Sequence, residues 1–335
     1  MRTMTPQDIV AAWPIDGPVA VHPLLNGTNN LSYSVVAPGA RYILRIYQNT
    51  TTSERVRYEH ALVARLAACA TLPFAVPAPL PARSGSTLVA VSSTDDRLAA
   101  LCRFIPGRRP DGRDLAQYRV CGAALADLDH AFAHIALPPL PGPLPPFGDL
   151  SHLHRAIPDP VAMVEELPLE PHMRTRIAHV VGDVAAVVPD LYQSLPCQIV
   201  HRDYAASNVL IDGERVTGVL DFEFAGHDLR AIDLARSLCQ FTTASWSYPE
   251  GWRRVIAFIS GYCERMTFRA DEVAALPDLM RLYRIVSLIH REGRRRQGLA
   301  SETDVQARAD ALLRQDRWLR ARWHDLSKVF APARG

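Results

Sequence analysis

Three oxygen-bearing side chains stand at chemically useful spacings in this 335-residue chain. They lie in the run Ile199-Val200-His201-Arg202-Asp203-Tyr204-Ala205-Ala206-Ser207-Asn208-Val209-Leu210-Ile211 and in Val219-Leu220-Asp221-Phe222-Glu223. A carboxylate at 203, a carboxamide at 208 and a second carboxylate at 221 supply what in-line phosphoryl transfer from a magnesium-bound nucleotide needs. One group orients a hydroxyl and the other two hold the metal. Asp203 suits the first role, because an alcohol proton turns acidic only as the new bond forms and position then matters more than basicity. Asn208 and Asp221 offer the hard oxygen donors that Mg2+ prefers. Glu223 extends that set, through water to the metal or toward the acceptor. The flanking apolar runs read as buried strands that carry these residues at their ends.

H-R-D-x-x-x-x-N followed by D-F-E resembles the catalytic and metal loops of the kinase fold. The glutamate and the short spacing resemble the aminoglycoside phosphotransferase, choline kinase and homoserine kinase (type II) family of small-molecule phosphotransferases. Only eleven residues separate Asp221 from Asp233, in Ala231-Ile232-Asp233-Leu234-Ala235, which leaves no room for an activation segment. The resemblance implies an α+β, two-lobed, protein-kinase-like fold. Its N-lobe would be an antiparallel β-sheet with one main helix, and its C-lobe larger and mostly helical. It also implies ATP and Mg2+ as cofactors and the hydroxyl of a small molecule as acceptor. His201 and Asp233 are assigned to the scaffold that ties the catalytic loop to the next helix. Arg202 stands where bacterial members carry glycine, and no function is drawn from it.

The N-terminal third has to hold the nucleotide. Lys328 is the sole lysine of the chain and lies in the C-terminal tail, so the usual phosphate-binding lysine is missing. Arg45, in the strand-like run Arg41-Tyr42-Ile43-Leu44-Arg45-Ile46-Tyr47, is the replacement, since a guanidinium holds phosphate oxygens in a fork. Residues 53–68 have helical apolar spacing, with Ser53 as cap. The resemblance assigns Glu59 of this helix to pair with Arg45, with Glu54 as fallback. Residues 21–25 and 31–36 read as strands joined by a small polar turn. There Asn26 and Gly27 would bring backbone N–H groups to phosphates. Residues 87–91 and 98–105 read as two further strands. Leu101-Cys102-Arg103-Phe104-Ile105-Pro106-Gly107 resembles the connection between lobes, with backbone groups of Cys102, Arg103 and Phe104 reading adenine. The expected division is 1–104 for the nucleotide-binding N-lobe and 105–335 for the catalytic and substrate-binding C-lobe.

Helices are expected over 115–131, 160–166, 172–188 and 282–296, with a Pro-rich ordered loop over 137–147. In the last helix, Tyr283, Ser287, His290, Arg291 and Arg294 fall near one stripe. Arg291 or Arg294 would meet a substrate carboxylate. Tyr283, Tyr248, Trp246 and Trp252 are candidates for the pocket wall. From Phe224 onward, basic residues outnumber acidic ones nineteen to thirteen. Polycationic acceptors call for an acidic pocket, so the balance speaks against an aminoglycoside. The Asn-rich first turn resembles that of homoserine kinases, and with the overall length and the basic helix the resemblance implies an amino alcohol such as homoserine. An aminoglycoside, choline or sugar kinase of the same family and a catalytically inactive nucleotide-binding relative are the alternatives. A metal hydrolase built on His201, Asp203, Asp221, His227 and Asp228 is a rival from another class. The formal net charge of +2 gives no push toward nucleic acid or membrane. The N-terminus lacks a signal-peptide core and the six cysteines form no C-x-x-C pair, so a cytoplasmic, reduced protein is expected.

Overall fold

The computed structural model describes residues 4–24, 30–47, 52–92, 95–137, 144–241 and 250–330. Asn26, Gly27, Trp246, Tyr248 and the centre of the Pro-rich loop lie outside these described residues.

Five strands form an antiparallel sheet: β1 (Ala20–Leu24), β2 (Asn30–Ala37), β3 (Ala40–Tyr47), β4 (Val89–Ser92) and β5 (Asp95–Arg103), in the order β1-β2-β3-β5-β4. Strand β3 alternates as a half-buried strand should. Leu44 and Ile46 enter a core with Val35, Ala99 and Leu101, which the N-terminal helix α1 (Pro6–Val10) covers with Ile9 and Val10. Arg45, between them, points to the other face. Helix α2 (Ser53–Ala67) lies there. Its N-cap is Thr52 rather than Ser53, because the Thr52 hydroxyl accepts the Arg55 N–H at 3.4 Å. Val56 packs with Tyr47 and Ala100, while Tyr58, Leu62, Val63 and Leu66 join the main core of the molecule. α2 thus binds the sheet to the helical body.

That body holds α3 (Leu115–Ala133), α4 (Pro160–Glu165), α5 (Pro171–Ser194), α6 (Ala231–Phe241), α7 (Glu250–Cys263), α8 (Ala270–Arg296) and α9 (Glu302–Ser327). Gly122 of α3 and Gly261 of α7 let these helices cross in backbone contact: a Cβ on Gly122 would strike the Phe258 carbonyl, and one on Gly261 the Arg119 carbonyl. α8 begins twelve residues before the expected 282 and runs through Pro277. Packing of Leu276, Leu279, Met280 and Leu282, all fully buried, outweighs the backbone bond that the proline forfeits.

Four short strands position the chemistry. β6 (Cys197–Val200) pairs antiparallel with β9 (Gly226–Leu229), and β7 (Val209–Asp212) forms a hairpin with β8 (Arg215–Val219). Gly213 takes a φ of 59° in the two-residue turn. β9 has no periodic pattern to announce it; its partner β6 makes it a strand. Past the sheet, Arg108 exchanges both backbone hydrogen bonds with Ile211 of β7, and Ala75 does the same with Thr217 and Val219 of β8. These two contacts fix the sheet over the hairpin.

Candidate active site

The loop leaving β6 is held by a buried carboxylate. Asp233, at the start of α6, accepts the N–H groups of His201 and Arg202. Both can point at one carboxylate because Arg202 sits at a φ of 58°. That conformation costs a non-glycine residue on the order of 1–3 kcal/mol. Its side chain is fully buried, paired through Nε with Asp228 at 3.0 Å, and donates to the carbonyls of Leu144, Pro145 and His227. The described end of the Pro-rich loop is therefore ordered over the catalytic loop. Phe147 N–H adds a bond to Asp228 at 2.9 Å. His201 accepts from the Asp203 N–H at Nδ1 and donates from Nε2 to the Leu220 carbonyl. Both ring nitrogens are spent in joining the two turns. Burial, then the charge of Arg236, lowers the imidazole to about 4, so it is neutral at physiological pH.

This bracing leaves the Asp203 carboxylate facing the cleft. Its Oδ2 accepts the Asn208 amide at 2.7 Å, and the same amide bonds the Asp203 carbonyl at 2.9 Å. With Nδ2 so engaged, the Asn208 Oδ1 is the atom left for a cation. Oδ1 of Asp203 meets the guanidinium of Arg236 on α6, which also donates to the Tyr204 carbonyl at 3.1 Å. Arg236 belongs to no motif of the sequence; its signal there is a charge within the mostly apolar run Leu234-Ala235-Arg236-Ser237-Leu238-Cys239.

Asp221 is the second described non-glycine residue with a left-handed backbone, φ 67°. The turn swings its carboxylate toward the sheet, where Arg45 reaches across. Arg45 Nη2 lies 2.6 Å from Asp221 Oδ1 and 3.6 Å from Glu223 Oε2, and Nη1 lies 3.2 Å from Glu59 Oε1. Glu59, and not Glu54, is thus the helix partner. Burial opposes the charge on Arg45, but the carboxylates of Glu59, Asp221 and Glu223 outweigh it and drive its pKa further up. Burial brings Glu59 to about 7 against the pull of Arg45. Two more residues from the nucleotide side grip Glu223: Asn30 Nδ2 donates to Oε2 at 2.9 Å, and Arg55 donates to its carbonyl at 3.1 Å. Asn30 closes the polar turn noted in the sequence, yet its own role emerges only from β2 ending beside the cleft.

The donor set fits a magnesium ion. It is all oxygen, and the described residues contain no group of three or more His, Cys, Asp or Glu side chains that could hold a metal ion by themselves. An ion carried largely by phosphates and water needs only one or two carboxylates and an amide. The guanidinium lodged between Asp221 and Glu223 marks where positive charge is wanted. The rival hydrolase constellation does not form. His201 has no free nitrogen, and Asp228 is absorbed by Arg202 and by the Tyr192 hydroxyl.

The remaining candidates divide. Cys102 is registered against Ile43 of β3, and a cavity runs beneath it, lined by Tyr47, Val63, Pro77, Pro79 and Leu101. The Phe104 N–H donates to the Arg41 carbonyl at 2.9 Å, so it is spent within the sheet. Tyr283 is buried against α6, where the Gln240 amide donates to its hydroxyl. Arg291 lies 3.9 Å from Asp304. Arg294 sits beside His154, whose ring packs on Gly293 and meets the His290 ring at 6.0 Å. Trp252 meets Trp318 in a tilted pair at 6.0 Å and belongs to the packing between helices.

A family model described as the phosphotransferase enzyme family matches residues 20–277, which takes in the sheet, both motif turns and α6. The chain belongs to the phosphotransferase enzyme family. Among its relatives, the homoserine kinase of Xanthobacter autotrophicus is 27% identical over 278 residues, covering 78% of this chain and 76% of that protein. The homoserine kinase of Granulibacter bethesdensis is 28% identical over 275 residues, covering 81% and 79%. A microcompartment-associated aminopropanol kinase superposes with a TM-score of 0.69 at 18% identity, covering 96% of this chain and 98% of that one. A choline kinase from Cryptosporidium parvum gives 0.63 at 13%, covering 93% and 92%. At such identities the superpositions establish the fold, a two-lobed protein-kinase-like architecture. No helix of the described phosphotransferase is long and apolar enough to cross a membrane.

Proposed function

We propose that this phosphotransferase moves the γ-phosphate of ATP, with Mg2+, to the hydroxyl of a homoserine-like amino alcohol. The observation that carries this reading is the meeting of Arg45 with Asp221 and Glu223 across the cleft, beside Asp203 and Asn208. In this reading, residues 1–104 bind the nucleotide, with the change of role falling where β5 ends and Arg108 joins β7. Asn208 and Asp221 would hold the metal, with Glu223 behind them; when bound, the ion supplies charge neutralisation between the phosphates. Asp203 orients the acceptor hydroxyl and takes its proton as the bond forms. Arg236 and Asn208 fix both oxygens of that carboxylate, so it points without rotating. Arg45 passes from the carboxylates to the phosphate oxygens, and Glu59 stays behind as its anchor. The missing lysine favoured an inactive relative; a guanidinium already at the carboxylates removes that motive.

The acceptor follows from similarity to homoserine kinases and from the basic composition of the C-terminal helices. ATP consumption measured with homoserine, choline, methylthioribose, hexosamines and aminoglycosides tests it. Turnover is expected with homoserine, abolished by EDTA and by Asp203→Ala, with the variant's far-UV CD unchanged. Turnover with an aminoglycoside alone refutes the acceptor. Undiminished activity of Asp203→Ala refutes the base.

A further inference from the structure

Arg308 on α9 is half-buried, yet among the described residues it has no hydrogen bond and no carboxylate within ion-pair distance. Burial, and then the charge of Arg291 on α8, push its pKa down; Arg284 adds to this, while Tyr283 and Asp304 oppose it. Asp304 is already committed. Its Oδ2 accepts both the N–H and the hydroxyl of Ser301 in the capping box of α9, at 2.9 Å each, and its Oδ1 lies 3.9 Å from Arg291. A guanidinium withdrawn from water beside like charges is costly unless an anion arrives to meet it.

The place of this deficit is informative. The guanidinium carbons of Arg236 and Arg284 lie 5.2 and 5.7 Å from the centroid of the Tyr283 ring. Arg236 is the residue that holds Asp203; from Tyr283 the same side of α8 runs through Arg284 to Arg291, about two turns on, and Arg308 stands about one turn after Asp304, the α9 residue that meets Arg291. We propose that Arg308, assisted by Arg291, binds the carboxylate of the acceptor, and that this contact selects an amino acid alcohol over the same alcohol without its carboxylate. The inference rests on the function proposed above and adds the residue that sets its specificity. A guanidinium fork matches a carboxylate in charge and geometry.

Homoserine and 3-aminopropan-1-ol differ only by that carboxylate, which makes them the probes. The wild-type chain is expected to use homoserine with a kcat/KM about 10- to 100-fold higher, the worth of one charge-assisted contact. Arg308→Gln should raise KM for homoserine by that factor, leave kcat nearly unchanged and leave 3-aminopropan-1-ol unaffected. Arg308→Lys should recover part of the loss. Equal use of both alcohols by the wild type, or an equal loss on both in Arg308→Gln, overturns the proposal. If neither alcohol is phosphorylated, the proposed acceptor reaction has failed and calorimetric titration decides the subsite. Homoserine binding that Arg308→Gln weakens upholds it; binding indifferent to the carboxylate or to Arg308 overturns it.

Discussion

Asp203 is held on both carboxylate oxygens, by Arg236 and by Asn208, while its backbone N–H is held by His201. A carboxylate restrained in this way would serve the proposed base role by placement, because lost rotation is settled on folding instead of in the transition state. His201 contributes only as a neutral ring, since it accepts at one nitrogen and donates at the other. Its pKa falls from an ordinary 6.5 to about 4 in the folded chain. The folded state therefore binds fewer protons than the unfolded one between those values. The stability from His201 is fully present above about pH 6.5 and is lost as pH falls toward 4, a loss on the order of 3 kcal/mol. Urea midpoints measured from pH 7.5 to 4.5 should fall more steeply for the wild type than for His201→Gln. Parallel curves would count against the neutral buried ring.

Helix α6 does more than cover the core: its Asp233 fixes the loop backbone and its Arg236 fixes the Asp203 carboxylate. Behind it, Asp129 of α3 is fully buried and accepts from the Tyr262 hydroxyl at 2.8 Å. Burial, and then the neighbouring Asp233, raise its pKa far above the usual carboxylate range. Burial lifts Asp233 as well, to about 7, but the N–H groups of His201 and Arg202 point at it and hold it below Asp129, so Asp129 is the member that takes the proton first. A carboxyl kept protonated on folding favours the folded state at low pH, and that share is lost as pH rises above about 3.8, the unfolded value. Asp129→Asn keeps the shape without the proton. Its stability relative to wild type should improve steadily from pH 4 to pH 8 in denaturant titrations, with kinase activity retained. A variant that loses ground as pH rises would contradict the assignment.

At the scale of the whole molecule, Arg45 links the sheet to the catalytic turns by touching Glu59, Asp221 and Glu223 at once. A lysine is a point charge and cannot span those three carboxylates. Arg45→Lys, although lysine is the commoner residue in kinases, should raise the KM for ATP roughly tenfold, about the worth of one charge-assisted hydrogen bond. It should also lower the melting temperature of the nucleotide-free protein. An unchanged KM with Lys at 45 would take Arg45 out of the nucleotide site. Asn30 and Arg55 hold Glu223 from the same side, so the cleft is tied at several points.

The sequence alone located Asp203, Asn208 and Asp221, singled out Arg45 from the want of a usable lysine, and placed most strands and helices within a few residues. Those features are local, since motif spacing, alternation and helical period are written in consecutive residues. β9, the passage of α8 through Pro277, the capture of Asp203 by Arg236, the burial of Arg202 against Asp228 and the uncompensated Arg308 were decided only by tertiary structure. Each depends on partners brought together from distant parts of the chain. A charge in a sequence shows its sign but not its burial, and burial decides whether a guanidinium braces a loop, shields a carboxylate or waits for an anion.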